Sequence, residues 1–207
     1  MAADYCTTQE LAAQLGIDDT DDDDLLQGSV TAASREIEGF CGRRFWIDDA
    51  VTNRVFYVTD RDELDLFDQP GEGIGVDIAT ATGLIIAFDT DYSGTYETAL
   101  TAYNLLPANA IADGRGFSCV RIGYGSAYTF PVSHGYPTVQ ITAKFGFPSV
   151  PEDVKKACLI QAAQLYKAKD AVFGAVSFGD SGAMYMRSGL ASAAKALLAP
   201  YQRALVG

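Results

Sequence analysis

Histidine is almost absent from this chain: among 207 residues only His134 carries an imidazole. A Ser-His-Asp or Cys-His centre would have to be built around it, yet it sits in the turn-rich stretch Pro131-Val-Ser-His-Gly-Tyr-Pro137 with no G-x-S-x-G elbow beside it. The expectation is a loop residue without a catalytic role. Cysteine is sparse as well. Cys6, Cys41, Cys119 and Cys158 are far apart, form no C-x-x-C pair and have no histidine close by, so zinc and redox-motif readings lack their ligands and the four read as buried thiols. No apolar run approaches the ~18 residues of a membrane span, and the N-terminus lacks the basic-then-apolar order of a signal peptide. A chain made and kept in the cytoplasm, with no membrane partner, is expected.

Positive charge is the other shortage. Fifteen Lys and Arg stand against 27 Asp and Glu, for a net charge of −12. The imbalance is uneven: net −9 over residues 1–50, −6 over 51–149 and +3 over 150–207. Clustered cations for phosphate contacts are missing, so a groove-reading or non-specific DNA binder is excluded. The opposite signs of the two ends would let neighbouring subunits, or the two ends of one subunit, attract each other.

What is present is a clear pattern of elements. Thr7 and Glu10 form a capping box, Leu11 and Leu15 give a short apolar face and Gly16 closes a first helix of about two turns. Thr20 with Asp23 opens a second, whose stripe runs Leu25, Leu26, Val30, Ala33, Ile37, Phe40, Cys41 before Gly42. Near the other end, Val139, Ile141, Ala143 and Phe145 alternate with polar residues as a half-buried strand. Pro151, as first helical residue, then starts a helix reaching about residue 169, with Lys155, Lys156, Gln161, Gln164, Lys167 and Lys169 on its wet flank. Residues 171–186, with Gly174, Gly179 and Gly182 among apolar neighbours, read as a linker that orders against a partner. A final helix from Ser188 to about Leu205 follows, kinked or broken near Ala199 by Pro200.

Residues 50–148 read as six or seven strands: 53–59, 63–67, 83–88, 95–106, 117–122 and 138–147, rich in Val, Ile, Tyr, Phe and Thr and punctuated by Gly and Pro. The fold class is α+β. A helical bundle from the N- and C-terminal helices (1–49 and 149–207) carries an inserted all-β region (50–148), sandwich- or barrel-like.

The acidic run Asp18 to Asp24 fails as a calcium loop, because its sixth and twelfth places hold Asp23 and Ser29 rather than Gly and Glu. Capping and dipole complementation explain several of its carboxylates. Gly71-Glu-Gly-Ile-Gly75 has the wrong spacing for a dinucleotide fingerprint and reads as a hairpin turn. The carboxylate pairs Asp62/Asp65 and Asp89/Asp91 look like solvated loops and strand edges, and the tyrosines of the β region are strand packing or part of a protein-binding face. No catalytic residue, metal site or cofactor is expected.

Three stretches together resemble the head-tail connector, or adaptor, proteins of tailed bacteriophages. They are Leu15 to Leu25 after the first helix, Phe40-Cys-Gly-Arg-Arg-Phe45 at the end of the second, and Phe145-Gly-Phe-Pro-Ser-Val-Pro-Glu-Asp-Val-Lys-Lys-Ala157, with Tyr201-Gln-Arg203 near the C-terminus similar too. The resemblance covers roughly residues 5–48 and 139–205; the β insertion is like that of the longer members. It implies a non-enzymatic ring, usually of twelve subunits, beneath the portal protein in the virion neck. Such a ring extends the DNA channel, lets DNA pass without sequence-specific binding, and offers a surface to the next neck or tail protein. By position, docking to the portal would fall to Leu190, Leu197, Leu198, Tyr201 and Leu205, and an acidic channel wall to Asp21, Asp22, Asp23 and Asp24. The residues alone leave two other classes open: a monomeric β-sandwich module binding a small ligand or glycan, and an acidic metal-dependent hydrolase.

Overall fold

A computed structural model describes residues 3–67, 69–70, 74–170, 175–177, 183–185 and 189–202. It is mixed α+β and divides into two units: residues 1–42 with 150–207, and residues 43–149.

The first unit is helical. Helix α1 (Thr8–Leu15) has both halves of the capping box at Thr7 and Glu10, and Gly16 ends it at φ 72°. Helix α2 (Asp23–Cys41) is closed by left-handed Gly42. It starts later than the sequence suggests: its cap is Asp22, which makes no side-chain cap bond, rather than Thr20. The Asp22 carboxylate is drawn instead to Tyr166 and Lys169 at the far end of α3 (Glu152–Lys167). Pro151 is the residue before α3, extended at ψ 146°, rather than its first helical residue. Helix α4 (Ser192–Leu198) is shorter than expected and gives way to a 3₁₀ turn over Ala199–Tyr201 at Pro200, which cannot supply the N–H that a continuing α-helix needs.

Helices α1, α2 and α4 all pack on α3 or on each other, with Leu11, Leu26, Val30, Ile37, Val154 and Leu198 almost wholly buried. Each such side chain contributes about 1.5–3 kcal/mol by leaving water. Two expectations change here. Leu25 is 51% exposed, while Gln161, placed on the wet flank by its polarity, is fully buried. Its Nε2 donates to Glu36 of α2 at 2.6 Å and its Oε1 accepts the N–H of Ala191 at 2.7 Å, so one amide ties α2, α3 and the start of α4 together. Within 171–186, backbone strands β8 (Ala175–Ser177) and β9 (Ala183–Tyr185) pair antiparallel where a linker is expected; the rest of that stretch lies outside the described residues.

The second unit holds two antiparallel sheets. One has the order β1-β7-β3-β4, from Thr52–Phe56, Val139–Ala143, Ile85–Phe88 and Thr98–Ala99; the other is β2-β6-β5, from Glu63–Asp65, Cys119–Ile122 and Tyr103–Leu106. The segment 95–106, expected as one strand, is thus two strands in different sheets. Phe56, Ile86, Phe88, Val139 and Ile141 from the first sheet and Leu64 and Val120 from the second share one core. Ile78 bridges to both Phe117 and Phe145. Residues Arg43–Asp49 join this unit rather than the helices. Arg43 pairs with Gly75, Phe45 stacks edge-on with Phe147 at 4.9 Å, and the Asp48 N–H donates to the Phe145 carbonyl.

Gly146 holds that joint. It lies at φ 115°, and a Cβ there would fall 1.9 Å from the Trp46 carbonyl oxygen. Gly146→Ala therefore has to move backbone as well as strain it. A loss of about 2–4 kcal/mol is expected, read as a lower urea midpoint for loss of the β signal.

Candidate functional site

The most perturbed carboxyl group in the β unit is that of Asp77. It is 1% exposed, Arg43 Nη1 lies 3.7 Å from it, and neither carboxylate oxygen receives a hydrogen bond among the described residues. Arg43 itself lies over the Phe67 and Phe147 rings, at 4.7 and 5.6 Å from their centroids. Burial raises the Asp77 carboxyl to about 7, against the opposing pull of Arg43, Arg115 and Arg44. Asp48 is the contrasting case: Arg44, Thr52 and Arg54 all donate to it. The Asp77 site is closed rather than open to a ligand. No group of three or more His, Cys, Asp or Glu among the described residues could hold a metal.

The acidic stretch is arranged so that one carboxylate works inside the chain and the others face water. Asp22 is half-buried against Lys169 and Tyr166, which hold its carboxyl below the ordinary carboxylate range. Asp18, Asp19, Asp21, Asp23 and Asp24 are exposed, Asp23 and Asp24 in the first turn of α2. Among the described residues, the opposite charges at the two chain ends thus meet within one subunit as the ion pair of Asp22 with Lys169. Of the expected docking residues, Leu190, Leu197 and Tyr201 are half-buried, Leu198 is fully buried, and Leu205 lies outside the described residues.

Two surfaces of the β unit stand out, the first not singled out in the sequence, the second built on Tyr92 and Tyr136, which are among the tyrosines read there as strand packing or a protein-binding face. The outward face of the four-stranded sheet is made of the rows Val55–Gln140–Ala87 and Asn53–Thr142–Ile85, set side by side by the strand register. Neither row has a charged residue, and Val55 and Ile85 are 45% and 57% exposed. On a chain of net charge −12, most of the surface repels another copy; a neutral face does not. The signal was available in the alternation of each strand but needed the register to assemble it. The second surface is aromatic. Tyr92, held at φ 61°, packs its ring against His134 and Tyr136 at 5.8 and 5.7 Å. Asp89, fully buried, shapes that loop by accepting the N–H groups of Ser93 and Gly94. His134 is thereby an exposed packing partner for Tyr92, and Asp89/Asp91 build a turn.

Asp77 gives a pH test of this geometry. With a folded value near 7 and an unfolded one near 4, its stabilising contribution is full below pH ~4 and is lost as pH rises through ~7. Asp77→Asn should remove that part of the slope, so that the difference in stability between variant and parent shifts in the variant's favour from pH 4 to pH 8. Parallel stability curves would contradict the assignment.

Residues 6–87 match the family described as phage gp6-like head-tail connector protein. No curated protein matches the chain. Among solved structures, the chain is similar to one from the neck of an empty gene transfer agent particle computed with C6 symmetry, at 20% identity and TM-score 0.56, over 98% of this chain and 93% of that one. It is also similar to a chain of the virion of a native gene transfer agent particle, at 22% identity and TM-score 0.55, over 98% and 93%. This family match runs from α1 into β3, and the fold of the two gene transfer agent chains is shared from end to end.

Proposed function

We propose that this chain is a structural head-tail connector that assembles as a ring of its own copies in the neck of a tailed-phage or phage-like virion. In this reading it sits beneath the portal, continues the DNA channel and presents a docking surface to the next neck or tail protein. It does no chemistry and holds no cofactor. The observation that carries the reading is the end-to-end likeness of the fold to a neck protein, β unit included, combined with the family match over residues 6–87.

The surfaces can be distributed over these roles. The exposed carboxylates of Asp21, Asp23 and Asp24 would give a channel wall that repels the DNA backbone, with Asp22 kept for the internal tie to Lys169. Leu190, Leu197, Tyr201 and Leu205 would contact the portal, and buried Leu198 would anchor α4 on its own unit. The neutral sheet face around Val55 and Ile85 is the copy-to-copy contact, because like-charged subunits approach most readily where neither carries charge.

Negative-stain images of the purified chain, alone and mixed with portal, test the assembly. Rings, alone or on the portal, are expected; a solitary chain under both conditions would overturn the reading and favour a monomeric binding module. The double substitution Val55→Glu with Ile85→Glu should leave thermal unfolding within about 0.5 kcal/mol, as exposed changes do. It should nonetheless abolish rings. Rings that form normally would remove the sheet face from the interface.

A further inference from the structure

We infer that Cys6 and Cys158 form a dithiol that closes to an intrachain disulfide on oxidation, fastening the segment ahead of α1 to α3. The two are 152 positions apart in sequence, yet their sulfurs lie 3.2 Å apart. All four cysteines are free, and both members of this pair are buried, at 6% and 0% exposure. A disulfide needs about 2.05 Å between sulfurs, so closure asks for a movement of only about 1 Å. Side-chain rotation with slight adjustment of the N-terminal segment supplies it.

The surroundings favour reaction at one sulfur. The Cys6 thiol donates to Cys158 Sγ, and Ser34 Oγ lies 3.5 Å from the same atom. Ser34 is held in place by accepting the Tyr5 N–H at 3.1 Å and donating to the Val30 carbonyl at 2.9 Å. The hydrogen bond donated by Cys6 holds Cys158 below the ordinary thiol range, while its partner and burial hold Cys6 above it. The first proton therefore leaves Cys158, whose thiolate is the nucleophile. Cys119 shows the contrast: its thiol donates to Glu63 at 3.1 Å, and burial with that carboxylate pushes it up.

With a low-molecular-weight disulfide as oxidant, the Cys158 thiolate attacks one oxidant sulfur and displaces the other as a thiolate, leaving a mixed disulfide. Cys6 then loses its proton and attacks the Cys158 sulfur, displacing the second small thiolate. One disulfide is formed and one consumed; two electrons pass to the oxidant and the two thiol protons go to the released thiolates. The buried pair meets the oxidant when the short segment before α1 opens locally, since buried groups are reached through such local openings.

The timing of this step rests on the connector reading. The pair would stay reduced in the cytoplasm and close in a released particle, where the medium is oxidising. The chemistry does not rest on it: failure of ring formation would leave the disulfide in place.

Full-length purified chain is incubated with excess glutathione disulfide, denatured, alkylated and mapped by mass spectrometry, beside a sample kept in reductant. The expected result is two alkylated thiols in place of four, one linked peptide pair joining Cys6 to Cys158, and a melting temperature raised by about 5–10 °C that reductant reverses. Cys6→Ser should remove both the link and the shift, and it lies in the terminal segment rather than in α3. Four alkylated thiols after oxidation, or links through Cys41, Cys119 or a second chain, would overturn the inference. A correct link with an unchanged or lowered melting temperature would overturn the fastening.

Discussion

The helical unit depends on α3 finding α2 across the whole of residues 43–149. The two helices meet through contacts that no local sequence provides: Tyr5 and Ser34 around Cys158, Glu36 with Gln161, and Asp22 with Tyr166 and Lys169. Everything else in the unit hangs on that seam. The segment before α1 is seated by Tyr5, whose hydroxyl donates to buried Glu38 at 2.6 Å, while Arg35 closes over the same carboxylate at 3.2 Å. Helix α4 is attached through Gln161 and buried Leu198. Loop-closure entropy grows only with the logarithm of loop length, each doubling costing about 0.6 kcal/mol, so a large insertion between α2 and α3 is tolerated. The burial of Leu26, Val30, Ile37 and Val154 outweighs it.

The β unit follows a different constraint, close backbone approach. Gly146 lets its chain run against Trp46, and Gly116, where a Cβ would meet Asp77 and the Gly146 carbonyl at 2.5 and 2.7 Å, lets the next segment do the same. Arg43 threads between two aromatic rings to reach Asp77. This interior leaves the outward sheet face free of charge and the loop aromatics around Tyr92 exposed.

What could be read from the sequence was what is local. The capping box at Thr7, the left-handed closures at Gly16 and Gly42 and the break at Pro200 depend on neighbours within four residues, and the structure has them. What could not be read was polar burial with a distant partner. Ser34, Glu38 and Gln161 look wet by type but are buried because each meets a group more than 25 positions away. Asp22 was drawn off its helix for the same reason, which moved the start of α2. The split of 95–106 between two sheets and the neutral face needed strand register, and the approach of Cys6 to Cys158 had no spacing pattern to announce it. The connector proposal entered through family resemblance rather than through any reactive constellation.

Native-state hydrogen exchange read by mass spectrometry addresses the seam between α2 and α3 directly. If the chain ends fold as one cooperative body, the amides of α2 and α3 should share a single opening free energy and respond together to low denaturant, with α1 joining them. Exchange of α3 at a distinctly lower free energy than α2, while α2 stays protected, would contradict the account.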